Sequence, residues 1–287
     1  MSRSRWTVGE ATTPAPMRAL ANLYVWLFGR RAFYRWNQRI FNVAVRGMGA
    51  GNPTTDLIGS GEDRFLRRLA AAAELTVFDV GAHLGDYAVR LLQLRPSARI
   101  WCFEPHPGTF KRLSAVAGDS GFTAVNVGLS DAPGRVALYD YAETAESGSS
   151  HATLHADVIE GIHHGEATER EVDVTTVDLY MESERIPHVN LLKVDAEGHE
   201  LAILRGAHRA IVSGKVDIVQ FEFNEMNVMS RVFFKDFYEA LPGYSFYRMV
   251  VDGLAPIGAY RPRTHELFVL QNVIAIRDDL EYRAALV

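Results

Sequence analysis

The stretch from Thr76 to His106 most constrains the fold, because it has the pattern of a strand, a helix and a second strand in succession. A short apolar run carries Asp-x-Gly-x-x-x-Gly from Asp79 to Gly85, and a run with helical period follows as far as Pro96. A second apolar run ends at Glu104. Parallel strands joined in this way have their carboxyl ends at one edge of a sheet. The pattern therefore predicts two carboxylates along the same edge.

The turn after the first strand indicates a nucleotide-like cofactor that carries positive charge. Gly81 and Gly85 allow a tight turn whose backbone approaches a ligand, and the following helix presents free N–H groups. Glu104 follows the first aspartate by 25 positions, close to the spacing at which an acid binds ribose hydroxyls. A dinucleotide fingerprint would require glycine in place of His83 and Asp86. S-adenosylmethionine, a sulfonium with a zwitterionic tail, suits the acids better.

Composition limits the class of protein. The 287 residues are 48% hydrophobic and 23% charged, which is typical of a globular protein with a large core. The formal net charge of −5 argues against a nucleic-acid partner. The single cysteine, Cys102, falls within an apolar run and is predicted to be buried. One cysteine cannot form an internal disulfide, which is consistent with a reducing, cytoplasmic location.

Two helices rich in aromatic residues and arginine are predicted before the main domain. We expect a flexible terminus over residues 1–16, a helical extension and linker over 17–61, and the cofactor-binding domain over 62–287. The first apolar run ends at Gly29 after about 10 residues, half of what a membrane span requires. Two interpretations remain open. These helices pack on the domain or on a second subunit of a homodimer, or residues 17–45 contact a membrane surface at its inner face.

The middle of the chain predicts an adenine contact and a lid. Gly128 and Leu129 follow the third apolar run, where backbone groups would reach an adenine. Residues 135–139 and 171–175 alternate in polarity and are predicted to pair antiparallel. The polar insertion at 140–170 is long enough to act as a lid over a site. Its four histidines are expected to be solvated rather than bound to zinc; they are His151, His155, His163 and His164.

Two later apolar runs bring further acids to the sheet edge. One ends at Asp195, and the run from Val216 to Phe223 places Glu222 at its end with Asn224 directly after it. Counting the runs predicts an α/β fold with a seven-stranded, mostly parallel sheet that has helices on both faces. The last strand is expected to be antiparallel, and a helical extension precedes the sheet.

Four segments of the chain together resemble the FkbM-type S-adenosylmethionine-dependent methyltransferases. The resemblance rests on Asp79-Val-Gly-Ala-His-Leu-Gly85, Phe103-Glu-Pro105, Gly128-Leu-Ser-Asp131 and Lys193-Val-Asp-Ala-Glu-Gly-His-Glu200. The last run is the most specific of the four. The resemblance implies a class I, Rossmann-like methyltransferase fold that methylates a hydroxyl of a sugar or polyketide. The expected acceptor is a small-molecule or lipid-linked sugar of a cell-surface polysaccharide or a secondary-metabolite glycoside.

The expected cofactor contacts lie along the predicted sheet edge, and the resemblance implies four of them: Asp79, Gly81, Gly85 and Glu104. One departure is His83, where the family more often has asparagine. The full expected set is Asp79, Gly81, His83, Gly85, Asp86, Glu104, Pro105, His106, Gly128, Leu129 and Asp195.

Methyl transfer to a sugar hydroxyl requires a base or a metal that helps to remove the proton. Asp195 and Glu222 are the candidate bases because each lies at a strand end, and Glu197 and His199 follow as further candidates. The oxygen atoms of Asp195, Glu222 and Asn224 are also of the type that binds Mg²⁺. The alternative for each carboxylate is a structural role at a helix N-terminus or in a loop.

Two other function classes remain open. One is a nicotinamide-dependent sugar oxidoreductase or epimerase. The missing fingerprint glycines argue against it, as does the lack of any tyrosine four positions before a lysine. The other is a catalytically silent scaffold that retains a nucleotide pocket.

Overall fold

The strands lie in two sheets of a computed structural model that describes residues 14–51, 60–71, 74–141, 148, 152–154 and 167–287. In chain order they are β1 (Thr76–Val80), β2 (Arg99–Phe103), β3 (Thr123–Val125), β4 (Gly128–Leu129), β5 (Gly134–Tyr141), β6 (Ala167–Thr175), β7 (Val189–Val194), β8 (Val216–Phe223), β9 (Tyr244–Val250), β10 (Gly253–Pro256) and β11 (Gln271–Arg277). The larger sheet has the order β10-β9-β11-β8-β7-β1-β2-β3, and the smaller one has the order β4-β6-β5.

The larger sheet is mostly parallel. Strands β8, β7, β1, β2 and β3 pair parallel, whereas β11 pairs antiparallel with both β8 and β9. The predicted fold class and the antiparallel last strand are confirmed. The expected number of seven strands is wrong by one, because a hairpin at Asp252 adds β10 to the sheet edge. Pro256 made this run resemble a loop, but proline is tolerated in an edge strand.

Helices cover both faces of the larger sheet. In chain order, the helices of the described residues are α1 (Ala15–Phe28), α2 (Tyr34–Gly47), α3 (Glu62–Ala70), α4 (Asp86–Leu94), α5 (Pro107–Ser120), α6 (Val177–Ser183), α7 (Glu200–Gly206), α8 (His208–Val212), α9 (Met226–Met229), α10 (Phe234–Ala240), α11 (Pro262–His265) and α12 (Arg283–Leu286). A 3-10 turn joins α1 to α2.

The alternation of side chains along the strands divides the core into two layers. Val77 and Leu191 pack with α3, α4, α5 and α12 on one face of the sheet. Phe78 and Leu192 pack with α6, α7, α8 and α10 on the other. Because the central strands are buried on both faces, their sequences are nearly continuous apolar runs. Asp79 and Lys193 are buried charged residues within these strands, so they differ clearly from the apolar residues around them.

Helices α1 and α2 form the predicted N-terminal extension. No residue of α1 is buried, and Val45 is the one buried residue of α2. Helix α1 begins at Ala15, inside the segment predicted to be flexible, whose first 13 residues lie outside the described part of the chain. Within the described residues, no helix combines the length and the apolar character that crossing a bilayer requires. The domain boundaries themselves remain a prediction.

The smaller sheet contains the antiparallel pair predicted around the insertion. Strand β5 pairs with β6 over their full lengths, from Gly134 opposite Val174 to Tyr141 opposite Ala167. Thr153 forms a bridge to Tyr139 on the rim of this sheet. Most of the insertion, including its four histidines, lies outside the described residues, so the predicted lid function remains a prediction.

Candidate active site

A cavity with an empty volume of about 670 Å³ opens at the carboxyl edge of the larger sheet, beside the smaller sheet. In doubly wound folds, ligands bind at this edge of the sheet. The lining residues are Val80, Gly81, His83, Phe103, Glu104, Pro105, Gly128, Leu129, Leu138, Ala152, Thr153, Leu154, Val172, Val174, Asp195, Ala196, Glu197, His199 and Ile203.

Glu104 is the fixed acid of this cavity. Its two carboxylate oxygens accept hydrogen bonds from the backbone N–H groups of His83, at 3.1 Å, and His106, at 2.9 Å. Burial raises its pKa to about 7, although the two backbone bonds oppose that shift. The amides hold the carboxylate in one orientation, and each oxygen keeps a second lone pair. The group is thus arranged to accept hydrogen bonds from ligand hydroxyls.

The opposite wall of the cavity is apolar. Leu129 from β4, Leu138 from β5, and Val172 and Val174 from β6 are all buried and line it. The cavity therefore combines a fixed acid with hydrophobic lining from the smaller sheet, a combination that suits a planar ring attached to a sugar.

The two glycines of the first turn serve the packing of the protein itself. A Cβ atom on Gly81 would lie 1.8 Å from the carbonyl oxygen of Asp195, so glycine lets the ends of β1 and β7 meet. A Cβ atom on Gly85 would lie 2.8 Å from the ring of Phe122. A ligand-facing role for these two glycines remains a prediction, and the backbone of Gly81 does line the cavity.

The loop after β7 carries Glu197 into the cavity in a strained conformation. Glu197 has a φ of 51°, and Gly198 after it has a φ of 97°. Glu200 fastens this loop, because its Oε1 atom accepts hydrogen bonds from the N–H groups of Ala196 and Gly198, each at 3.0 Å. Non-glycine residues with positive φ cost free energy and cluster at functional sites. Glu200 therefore has the structural role, and Glu197 faces the ligand space.

His199 and Thr153 complete this side of the cavity. The Nε2 atom of His199 lies 2.9 Å from the hydroxyl of Ser130, which follows β4. The hydroxyl of Thr153 donates to the carbonyl oxygen of Glu197 at 2.8 Å. The short described segment around Thr153 is thus bonded directly to the loop that carries the predicted catalytic residues.

A row of buried polar residues crosses three strands just below the cavity. Asp79 on β1 lies opposite Lys193 on β7, and Lys193 lies opposite Gln220 on β8. The Lys193 ammonium is 3.2 Å from Asp79 Oδ1 and 3.3 Å from Asp195 Oδ2. Burial alone would lower the pKa of Lys193, but these two carboxylates outweigh it and raise that pKa. Lys193 is therefore a permanent cation between two acids.

Helices α3 and α4 each contribute a side chain that hydrogen-bonds to this row. The Tyr87 hydroxyl donates to Gln220 at 2.8 Å, and Gln220 in turn donates to Glu62 at 2.7 Å. Burial raises the pKa of Glu62, with Lys193 opposing the shift. Sequence reasoning did not assign these residues to the site. Lys193 was detectable, because it heads the most specific motif, whereas Glu62 and Tyr87 are far away in sequence.

Glu222 lies near the acids of the cavity but outside its lining. Burial raises its pKa well above the ordinary value, and the negative charges of Asp195 and Glu197 raise it further. The amide of Asn224 is 3.5 Å from its carboxylate. The described residues contain no group of three or more His, Cys, Asp or Glu side chains placed to hold a metal ion. The raised proton affinity of Glu222 suits a proton acceptor, and Mg²⁺ binding by Asp195, Glu222 and Asn224 remains a prediction.

Nine of the predicted site residues line the cavity: Gly81, His83, Glu104, Pro105, Gly128, Leu129, Asp195, Glu197 and His199. Six do not: Asp79, Gly85, Asp86, His106, Glu222 and Asn224. Asp79 is fully buried against Lys193, and Asp86 is exposed at the start of α4. His106 caps α5, since its Nδ1 atom accepts from the N–H groups of Gly108 and Thr109.

The strand order, the helices on both faces and the cavity at the ends of β1 and β2 define a class I, Rossmann-like methyltransferase fold. Residues 79–246 match the methyltransferase FkbM domain, which is more than half of the chain. The chain therefore belongs to the FkbM methyltransferase family.

Two curated relatives match part of the chain. Hexuronic acid methyltransferase AglP of Haloferax volcanii is 30% identical over 166 residues, covering 56% of this chain and 62% of that protein. Methyltransferase 1 of Beauveria bassiana is 29% identical over 142 residues, covering 45% and 57%. The chain thus spans about three fifths of the length of each relative. Among solved structures, precorrin-6y C5,15-methyltransferase of Geobacter metallireducens has a TM-score of 0.41 at 10% identity, covering 79% of this chain and 93% of that one.

Proposed function

We propose that this protein transfers a methyl group from S-adenosylmethionine to a hydroxyl group of a sugar or glycan. The observation that carries the proposal is the arrangement of Glu104, whose carboxylate is fixed by two backbone amides and lines the same cavity as the apolar residues of the smaller sheet. That arrangement suits the ribose and adenine of an adenosine cofactor. The family assignment supports methyl transfer, and the hexuronic acid named for the relative from Haloferax volcanii supports a sugar acceptor.

The charges around the cavity favour a cationic ligand. Asp195 and Glu197 line it, Glu222 lies close by, and Lys193 is the cation bonded to this group. Carboxylates in a poorly solvated site attract a positive charge more strongly than they would in water. When bound, S-adenosylmethionine would supply a methyl group activated by its positive sulfonium.

The chain's own residues would hold the acceptor and remove its proton. A sugar hydroxyl must lose a proton as its oxygen gains the methyl carbon. Glu222 suits the role of proton acceptor, because its raised pKa gives the carboxylate a high proton affinity. Asp195 contributes through its negative charge, which helps to raise that pKa, and through its ion pair with Lys193.

Two measurements test the proposal in sequence. Calorimetry with the purified protein should show binding of S-adenosylmethionine and S-adenosylhomocysteine but not of NAD. The protein should then transfer a radiolabelled methyl group to hexuronic acid glycosides or to neutral hexosides, tested as separate acceptor panels. Binding of NAD with no binding of S-adenosylmethionine would refute the cofactor assignment, and it would favour the oxidoreductase class. Binding without transfer to any glycoside would instead refute the acceptor class.

A further inference from the structure

Helices α1 and α2 expose an unusual amount of apolar surface. The exposed fractions are 62% for Leu20, 67% for Trp26, 64% for Tyr34 and 71% for Val43. Single exposed apolar side chains are ordinary, but many of them on two adjacent helices indicate an interaction surface. We call residues 15–47 the extension surface.

The extension surface is internally ordered. The ring of Phe28 lies 5.3 Å from those of both Phe33 and Trp36, so an aromatic cluster joins the two helices. The Tyr24 hydroxyl donates to the Asn37 side chain at 2.5 Å. The exposed apolar residues are therefore presented by a defined pair of helices.

The charge of this surface is entirely positive. Residues 14–51 contain six arginines, no lysine and no acidic residue, in a chain whose formal net charge is −5. Arg35, Arg39 and Arg46 are spaced by 4 and 7 positions, which places them along one side of α2. Trp36 and Ile40 are offset from them by one position and lie along the adjoining side. Arginine beside exposed aromatic residues is the pattern of helices that lie in a membrane interface.

We propose that the extension surface binds the surface of an anionic lipid bilayer, with its apolar side chains among the acyl chains and its arginines at the phosphates. Helix α1 has 14 residues and is therefore about 21 Å long, shorter than the roughly 30 Å hydrocarbon core. The helices would accordingly lie along one leaflet. The inference rests on α1 and α2 alone and is independent of the proposed reaction.

The charge of the extension surface also favours a bilayer over a second copy of the chain as the partner that binds it. In a two-fold dimer through this surface, each copy would present the same patch to its partner. The arginines of both copies would then approach each other, with no acidic residue of the extension between them. An anionic bilayer neutralises the same arginines and buries the same apolar residues at once.

Vesicle flotation with the full chain tests the inference. The protein should float with vesicles of phosphatidylcholine containing 30% phosphatidylglycerol, roughly tenfold more than with phosphatidylcholine alone. The double variant Arg35→Gln/Arg39→Gln should lose about tenfold or more in partitioning to the anionic vesicles, since each basic residue near such a surface contributes separately. Trp26→Ser should weaken partitioning to both vesicle types, because it removes inserted apolar area.

A matched variant controls for charge in general. Arg185→Gln/Arg263→Gln removes the same charge from exposed positions outside the extension and should float like the unchanged protein. Equal losses in the two double variants would overturn the proposal. Failure of the unchanged protein to float with anionic vesicles would also overturn it. So would a concentration-dependent dimer in light scattering that Trp26→Ser abolishes, because the occupant would then be a second copy.

Discussion

Two regions of the same sheet edge hold buried carboxylates by different means. Beside β2, Glu104 is held by two backbone N–H groups and shares its cavity with apolar residues of the smaller sheet. Beside β7, Asp79 and Asp195 are held by one buried ammonium, that of Lys193. The first acid is positioned by the path of the backbone alone. The second group depends on a single side chain that balances several charges.

This difference favours ligand recognition by Glu104 and proton transfer by the acids around Lys193. An acid fixed by amides keeps its place whatever its neighbours do, which suits hydrogen bonding to ligand hydroxyls. Acids that share one cation change their proton affinity when any member changes, which suits a proton-transfer step. If so, substitutions in the two regions should affect different properties of the protein.

The largest effect is expected from Lys193→Met. This substitution leaves Asp79 buried without a counter-ion, and breaking a buried pair typically lowers the free energy of unfolding by about 3–5 kcal/mol. Urea denaturation at pH 7 measures it. The loss should shrink as pH falls, because burial already raises the pKa of Asp79 and a protonated carboxyl needs no cation.

The double variant Asp79→Asn/Lys193→Met is the control for that experiment. It removes the buried charge together with its partner, so it should regain most of the lost stability. A single Lys193→Met variant as stable as the unchanged protein at pH 7 would show that the pair does not hold this region together.

The next largest effect is expected on turnover from Asp195→Asn, which preserves shape and removes charge. Complete loss of acid–base assistance typically costs about 100-fold or more in kcat, and Asp195→Asn should cost part of that, because Glu222 remains as the proton acceptor with a weakened proton affinity. The acid limb of the pH–rate profile should also move to lower pH, because the charge of Asp195 helps to raise the pKa of Glu222. Radiolabelled methyl transfer across a pH series measures both effects.

Asp173→Asn is the matched control for Asp195→Asn, since Asp173 is an exposed acid of β6 paired with Arg135. Its kcat should equal that of the unchanged protein. Undiminished turnover of Asp195→Asn would exclude Asp195 from the mechanism. A lower kcat with an unmoved pH profile would mean that Asp195 acts without influencing Glu222.

The acids at the sheet edge could be predicted from the sequence because strand ends are marked locally by glycine and by the end of an apolar run. The directions of the side chains of these acids could not be predicted. Asp79 lies inside β1, one residue before its end, and is turned beneath the cavity, whereas Glu104 follows the last residue of β2 and enters it. A difference of one or two residues in the position of a strand end is below what pattern reasoning resolves.

The partners of Lys193 could not be predicted either, because they depend on strand register and on distant helices. Asp79, Lys193 and Gln220 form a row only because β1, β7 and β8 pair in that register. Glu62 joins it from 158 positions before Gln220. The apolar wall was also missed, since Val172 and Val174 in β6 have the alternating pattern of any half-buried strand.

A smaller effect is expected from Glu104→Gln, which tests the recognition region alone. Hydrogen bonds to a charged acceptor contribute about 1.5–3 kcal/mol, so the affinity for S-adenosylmethionine should fall roughly 10- to 100-fold. Calorimetry measures this, with Glu171→Gln on the exposed side of β6 as the matched control. Urea stability should change far less than in Lys193→Met. Unchanged cofactor affinity would contradict the assignment of Glu104 to the ribose hydroxyls.

The smallest effect is the pH dependence of cofactor binding. The pKa of Glu104 in the free protein is about 7, and hydroxyl groups that donate to its ionised form lower that pKa on binding. Binding then releases a proton, so affinity should rise as pH increases through 7 and level off above it. Between pH 6 and pH 8 the gain is at most about tenfold, since the ionised fraction rises from roughly one tenth to nine tenths. Calorimetry in two buffers of different ionisation enthalpy measures both affinity and proton release. The Glu104→Gln variant should lose this pH-dependent step in affinity, and persistence of the step in that variant would assign it to another group.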